Sequence, residues 1–105
     1  MIRVSIVSKD GKITGFSCIG HAGYETEGKD IVCAGVSALV INAVNSMESL
    51  TKAKFQVEEK DGDIRFALED TSCPEAQLLL RSLKLGLETI ENDCGSQYVK
   101  VTIVS

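Results

Sequence analysis

An uncharged run of seventeen residues, from Ile31 to Met47, restricts how this chain folds more than any other segment. Such a run makes about five turns of helix, and a helix that is apolar nearly all round must be buried. A bilayer span needs about 20 predominantly apolar residues. Small and polar residues that hydrocarbon would penalise interrupt the run at Gly35, Ser37, Asn42, Asn45 and Ser46. The run therefore predicts a buried helix of a soluble protein, and no membrane partner is expected.

The length of the chain limits what can bury this helix. One hundred and five residues fit one domain of ordinary size, so we expect a single domain over residues 1–105. Hydrophobic residues make up 44% of the chain, which is enough for a packed core. An apolar helix in so small a domain is either sandwiched in the core or shared with a second copy of the chain. We favour a homodimer.

Alternating apolar and polar residues predict five strands around this helix. They lie at about 2–6, 13–19, 55–58, 64–68 and 99–103. Asp10-Gly11 joins the first two strands and Asp61-Gly62 joins the next two, and both dipeptides are typical of tight hairpins.

The first helix is predicted to begin after Asp30, a suitable N-cap, and to run to about Leu50. Residues 20–29 break the periodicity and are predicted to form a mobile loop before it. Cys33 then occupies the third helical position, so its N–H group is among the unsatisfied donors of the first turn.

The second helix shows signals at both ends. Ser72 and Glu75 fit a capping box, Pro74 lies in the first turn, and Gly95 ends the helix. An apolar stripe at helical spacing is formed by Ala76, Leu79, Leu80, Leu83, Leu87 and Ile90. The complete order is ββαββαβ, which predicts an α+β fold with a mixed five-stranded sheet and two helices.

The charge of the chain argues against nucleic acid as a direct partner. The formal net charge is −4, and no basic cluster stands out in the sequence. A protein that binds phosphate backbones usually carries a basic patch.

Cysteine usage favours a cytoplasmic protein without a metal or another cofactor. Cys18, Cys33, Cys73 and Cys94 form no C-x-x-C pair, and the single histidine cannot complete a usual zinc set. The first residues alternate as a strand, so we expect no signal peptide. Free thiols in a reducing compartment are therefore favoured over two disulfides.

One histidine and one cysteine carry the candidate chemistry. His21 follows the second strand, and Cys33 lies near the start of the first helix. A thiol reacts as a thiolate, and a nearby imidazole or a helix N-terminus favours its ionisation. Gly20 and Gly23 lie on either side of the histidine and leave room for a substrate backbone. The common alternative is a buried cysteine that acts as a small hydrophobic residue.

Two further residues are candidates for supporting roles. Asp30 either caps the first helix or orients His21. Ser37 lies one turn after Cys33 on the same helix face, where its hydroxyl contacts the thiolate or substrate, or else packs against the sheet. Cys18 is expected to be buried in its strand.

Residues 20–24 and 28–39 together resemble the signature of the ribosomal-processing cysteine protease (Prp) family. The matching segments are Gly20-His21-Ala22-Gly23-Tyr24 and, from Gly28 onward, Asp30-Ile31-Val32-Cys33-Ala34-Gly35-Val36-Ser37-Ala38-Leu39. By this resemblance, Cys33 is the nucleophile and His21 the base. Asp30, Ser37 and Gly20 are supporting residues, and Gly23, Tyr24 and Gly28 belong to a loop that orders around substrate.

The resemblance implies a small intracellular protease, typically a homodimer. Its partner would be the N-terminal segment of a large-subunit ribosomal protein, from which it removes a short extension. Two other functions stay open. One is a non-catalytic ribosome-associated assembly or regulatory factor. The other is a redox sensor in which Cys33 is oxidised and Cys18 resolves it.

Overall fold

The computed structural model describes residues 1–20 and 27–105, with the backbone alone for residues 27–30. Seven elements follow in chain order: β1 (Ile2–Lys9), β2 (Lys12–Ile19), α1 (Glu27–Leu50), β3 (Phe55–Lys60), β4 (Asp63–Leu68), α2 (Pro74–Cys94) and β5 (Val99–Val104). The predicted order ββαββαβ is confirmed.

The five strands form one sheet in the order β3-β4-β2-β1-β5. Every neighbouring pair is antiparallel except β1 and β5, which are parallel. The sheet is therefore mixed, and the predicted α+β class is confirmed.

Both predicted hairpin turns are present. Asp10 and Gly11 have positive φ values of 53° and 79°, the pattern of a type I′ turn. Gly62 has a φ of 69° in the second turn. These turns bring β1 against β2 and β3 against β4 with the right-handed twist that antiparallel strands prefer.

The start of α1 differs from its prediction. The helix begins at Glu27, so Asp30 lies inside it and the predicted N-cap is wrong. The glycine at position 28 suggested a loop, but one glycine costs a helix only about 1 kcal/mol relative to alanine. The acidic residue at position 27 also suits the positive end of the helix dipole.

The start of α2 is also capped differently from its prediction. Cys73 is the N-cap residue and makes no side-chain capping bond, while Pro74 occupies the first turn as predicted. The Ser72 hydroxyl and N–H both donate to the Asp70 carboxylate, each at 2.9 Å, so the predicted capping box is wrong. Gly95 ends the helix as predicted, and its N–H donates to the Glu91 carbonyl at 2.8 Å.

The core lies between one face of the sheet and the two helices. Its strand residues are Ile2, Val4, Ile6, Ile13, Phe16, Phe66 and Val99. Its α1 residues are Val32, Val36, Val40, Ala43 and Met47, and its α2 residues are Ala76, Leu80, Leu83 and Leu87. Gly86 of α2 faces Leu39 of α1, and a Cβ atom there would lie 2.9 Å from Leu39 Cδ1.

One buried polar side chain joins α2 to the sheet. The Gln77 amide donates to the Ile13 carbonyl at 2.8 Å and accepts from the Ile13 N–H at 2.9 Å. Ile13 pairs with Ser8, immediately after a register shift between Val7 and Ser8. Gln77 therefore satisfies backbone groups where the ladder is irregular.

Among the described residues 1–20 and 31–105, only one side of α1 is covered by other elements. On its outer side Ile31 and Ile41 are 70% and 55% exposed, so the described elements of one copy do not sandwich the helix. By length and composition, Ile31–Leu50 could cross a membrane, a test that core helices of soluble proteins also pass. The other side of α1 is part of the core.

Candidate active site

A pocket of about 280 Å³ lies between α1 and the β3–β4 hairpin. The helix contributes Cys33, Ser37, Val40 and Ile41. The hairpin contributes Glu59, Lys60, Gly62, Asp63 and Ile64, and the end of β2 contributes Cys18 and Gly20. The pocket therefore combines an apolar wall, a charged rim and two thiols.

Cys33 is half-buried on α1 and packs against the core beside the pocket. Because α1 begins at Glu27, Cys33 lies in the second turn and not at the predicted third position. Its N–H group is therefore beyond the four donors that a helix start leaves unsatisfied. The predicted place of Cys33 in the first turn, where the field of the helix dipole acts, is therefore wrong.

Ser37 shares the pocket with Cys33, as the spacing of four residues predicts. Its side chain is exposed, and the alternative in which it packs against the sheet is not observed. The hydroxyl is thus available to a group bound beside the thiol.

Gly20 lies at the edge of the pocket and has a backbone that requires glycine. Its φ is 104°, and a Cβ atom would lie 2.5 Å from the Met1 carbonyl oxygen. Its N–H donates to the Gly62 carbonyl at 2.7 Å. This hydrogen bond links the end of β2 to the β3–β4 hairpin, which forms the opposite wall of the pocket.

Cys18, expected to be buried in its strand and named as the resolving thiol of the redox alternative, also belongs to the site. It packs against the core as expected, and it also lines the pocket together with Cys33. Burial, followed by the nearby Cys33 and Asp63, raises the pKa of the Cys18 thiol to about 11. The Cys18 thiol is therefore neutral at physiological pH.

The hairpin wall was missed, because hairpin signals do not say which strands a hairpin will join. Glu59, Lys60 and Asp63 surround the pocket only because β4 pairs with β2. The alternation of residues 55–68 predicted the hairpin but not its neighbour.

Several predicted site residues lie outside the described residues. They are His21, Gly23 and Tyr24, together with the side chain of Asp30. Gly28 belongs to the backbone of α1 and not to a loop before it. Within the part of the chain that the structure describes, no three His, Cys, Asp or Glu side chains are grouped to hold a metal.

A protein-family model described as cysteine protease Prp matches residues 1–100. The chain belongs to this family. Ribosomal processing cysteine protease Prp of Staphylococcus aureus is 38% identical over 96 residues, covering 89% of this chain and 91% of that protein. The Bacillus subtilis protein of the same name is 38% identical over 100 residues, covering 89% of each.

Two solved structures of the Prp family share the fold closely. One is an essential ribosomal processing protease Prp from S. aureus with a covalently linked product peptide. It has a TM-score of 0.90 and 35% identity, covering 98% of this chain and 99% of that one. A second, with a substrate peptide, has a TM-score of 0.90 and 34% identity over the same shares.

Membership of the Prp family makes the chain a cysteine protease. The family and the enzyme class predicted from residues 20–39 are confirmed. The alternative of a non-catalytic factor is set aside, because the matched relatives are named as proteases.

Proposed function

We propose that this protease removes the N-terminal extension of a large-subunit ribosomal protein, with Cys33 as the nucleophile and His21 as its base. One observation carries the proposal: Cys33 lines a pocket whose edge is Gly20, the residue directly before His21 in the chain. A nucleophilic thiol needs an accessible site and a base within hydrogen-bond reach.

The substrate assignment draws on the relatives and on the charge of the pocket. The matched S. aureus and B. subtilis proteins are ribosomal processing proteases. The pocket rim carries two carboxylates, from Glu59 and Asp63, and one cation, from Lys60. Such a rim complements the basic segments of ribosomal proteins.

The first half of the mechanism forms an acyl-enzyme. His21 takes the proton of the Cys33 thiol, and the thiolate attacks the scissile carbonyl carbon. The tetrahedral intermediate collapses as the C–N bond breaks. The leaving amine takes the proton from His21 and departs as the new N-terminus. The extension remains on Cys33 as a thioester.

The second half releases the extension. His21 takes a proton from water, and the resulting hydroxide attacks the thioester carbonyl. The C–S bond breaks, the thiol recovers its proton, and the extension leaves with a carboxylate. Both halves use only side chains and water.

Ser37 and Asp30 have supporting roles in this scheme. The exposed Ser37 hydroxyl, one turn from Cys33, donates to the substrate or to the developing oxyanion. Asp30 orients His21, a role that gains weight because the helix begins before it and does not need it as a cap. Gly23 and Tyr24, from the predicted substrate loop, contact the substrate.

The enzyme acts as a cytoplasmic homodimer. Support comes from the outer side of α1, where Ile31, Ala34, Ala38 and Ile41 are exposed at helical spacing. An apolar stripe of this kind is typical of a face that another protein covers. The cytoplasm is where ribosomal proteins are made and where four free cysteines remain reduced.

The proposal is tested by incubating the enzyme with the unprocessed ribosomal protein of its host and measuring intact masses. Wild type should remove one N-terminal extension, and Cys33→Ala should remove none. Cys94→Ala is the matched control, because Cys94 is exposed at the end of α2 and does not line the pocket. Processing by Cys33→Ala at the wild-type rate would overturn the assignment.

A further inference from the structure

The pocket beside Cys33 contains a second thiol that the proteolytic mechanism does not use. Cys18 pairs with Val4 and Ile64 across the sheet, near the end of β2. Val4 belongs to the core, so this row of residues faces the helices. Cys18 therefore approaches α1 from the sheet side, and Cys33 lines the same pocket from the helix side.

Two observations place these thiols together. Both Cys18 and Cys33 are half-buried, and both line the same pocket. Their charges also interact, since Cys33 is one of the groups that disfavour ionisation of Cys18. Cys73 is the N-cap residue of α2 and Cys94 is its last residue, and neither lines the pocket.

We infer that Cys18 and Cys33 form an oxidative modification site, in which a hydroperoxide oxidises Cys33 and Cys18 then closes a disulfide with it. The inference rests on the reactivity that the proposed function gives to Cys33. Beyond the proposed function, the enzyme gains a reversible inactive state in which Cys18 is the second cysteine.

The first step oxidises the nucleophile. The Cys33 thiolate attacks one oxygen of the hydroperoxide, and the O–O bond breaks as an S–O bond forms. The other oxygen leaves as hydroxide or alkoxide and takes up a proton. Cys33 becomes a sulfenic acid and the peroxide is reduced.

The second step closes the disulfide. The Cys18 sulfur attacks the Cys33 sulfur, the S–O bond breaks, and the oxygen leaves as water with the Cys18 proton. A disulfide needs Cα atoms about 4.4–6.8 Å apart. The bond blocks the nucleophile and narrows the pocket entrance.

The disulfide protects the enzyme from permanent damage. A sulfenic acid left exposed to more peroxide becomes a sulfinic acid, which thiols do not reduce. A disulfide is returned to two thiols by an excess of a reduced thiol. Cys18 would thus convert an irreversible loss of protease into a temporary one.

Peptide mapping tests the bond directly. The full-length wild type is treated with hydrogen peroxide, its remaining thiols are alkylated, and its peptides are mapped by mass spectrometry without reduction. The expected product is a Cys18–Cys33 linkage with Cys73 and Cys94 alkylated. An oxidised Cys33 beside an alkylated Cys18, or linkage of Cys33 to Cys73 or Cys94, would overturn the inference.

Recovery of protease activity after reduction tests whether Cys18 protects the enzyme. Wild type, Cys18→Ser, Cys18→Ala and the control Cys73→Ser are oxidised and then reduced with dithiothreitol, each compared with its own untreated activity. Wild type and Cys73→Ser should recover a fraction roughly tenfold larger than either Cys18 variant. Equal recovery in all four would refute the protective role.

The two proposals fail separately. If reduced wild type does not process the ribosomal protein, the proposed function fails while the peptide map still decides the linkage. If processing occurs and no Cys18–Cys33 linkage forms, only the oxidative site is lost.

Discussion

At the scale of single residues, Cys18 shows what burial does to a thiol beside an active site. Its pKa is raised from 9.0 to about 11, first by burial and then by Cys33 and Asp63. The folded protein therefore keeps a proton on Cys18 over a range of pH in which the unfolded chain loses it.

This shift makes the stability of the fold fall in alkali. Below pH 9 both states hold the proton, and the stabilising effect is fully present; it is lost as the pH rises through 11. From below pH 9 to above pH 11, wild type should lose about 2.5 kcal/mol more unfolding free energy than Cys18→Ser. Urea unfolding at several pH values measures this, and parallel losses in the two proteins would refute it.

Gly20 gives a second prediction at this scale. Its positive φ and its close approach to Met1 mean that Gly20→Ala should cost about 3 kcal/mol of unfolding free energy. Gly11→Ala is the control, since Gly11 also has a positive φ but has nothing within 4 Å of an added Cβ atom. It should cost only about 1 kcal/mol. If the two variants lose the same unfolding free energy in urea, the close approach of Gly20 to the Met1 carbonyl does not affect stability.

At the scale of elements, one buried side chain of α2, Gln77, bonds to the backbone of the sheet. Gln77→Ala would leave the buried N–H and carbonyl of Ile13 without their partner. The expected loss of unfolding free energy is about 3 kcal/mol. Gln56→Ala, on the exposed face of edge strand β3, is the control and should change it by less than about 0.5 kcal/mol. Similar losses from the two variants would contradict this account.

Local patterns predicted the elements better than their ends. The strands and the two hairpins follow from period-two alternation and from Asp-Gly turns, which act over a few residues. The N-cap at Asp30 was wrong because the helix begins earlier, at Glu27, and includes Gly28. The capping box at Ser72 was wrong because a rival local bond competes for that serine. Ser72 donates to Asp70 instead.

The site was predictable only in part, for a reason of sequence distance. Cys33 and Ser37 are one helical turn apart, so their shared pocket follows from helix geometry. Cys18 and the hairpin wall reach the pocket through the sheet order, which single-strand patterns do not encode. The placement of His21 beside Cys33 stays a prediction.

At the scale of the whole molecule, the outer side of α1 should be an interface between two copies. Static light scattering of wild type should give the mass of a dimer. Ile31→Asp should shift it to a monomer, because a carboxylate would be buried without a partner. Leu78→Asp is the control, since Leu78 is 59% exposed on α2, and it should stay dimeric. A monomeric wild type would contradict the homodimer.

The central claim is that Cys33 carries the substrate during cleavage. Wild type is mixed with a peptide that spans the extension and the cleavage site, quenched in acid during the first turnover, and measured by intact mass and peptide mapping. The account predicts an enzyme heavier by the extension, attached to Cys33 as a thioester and released by hydroxylamine. Cleavage that proceeds with the adduct on another residue, or in Cys33→Ala, would contradict it.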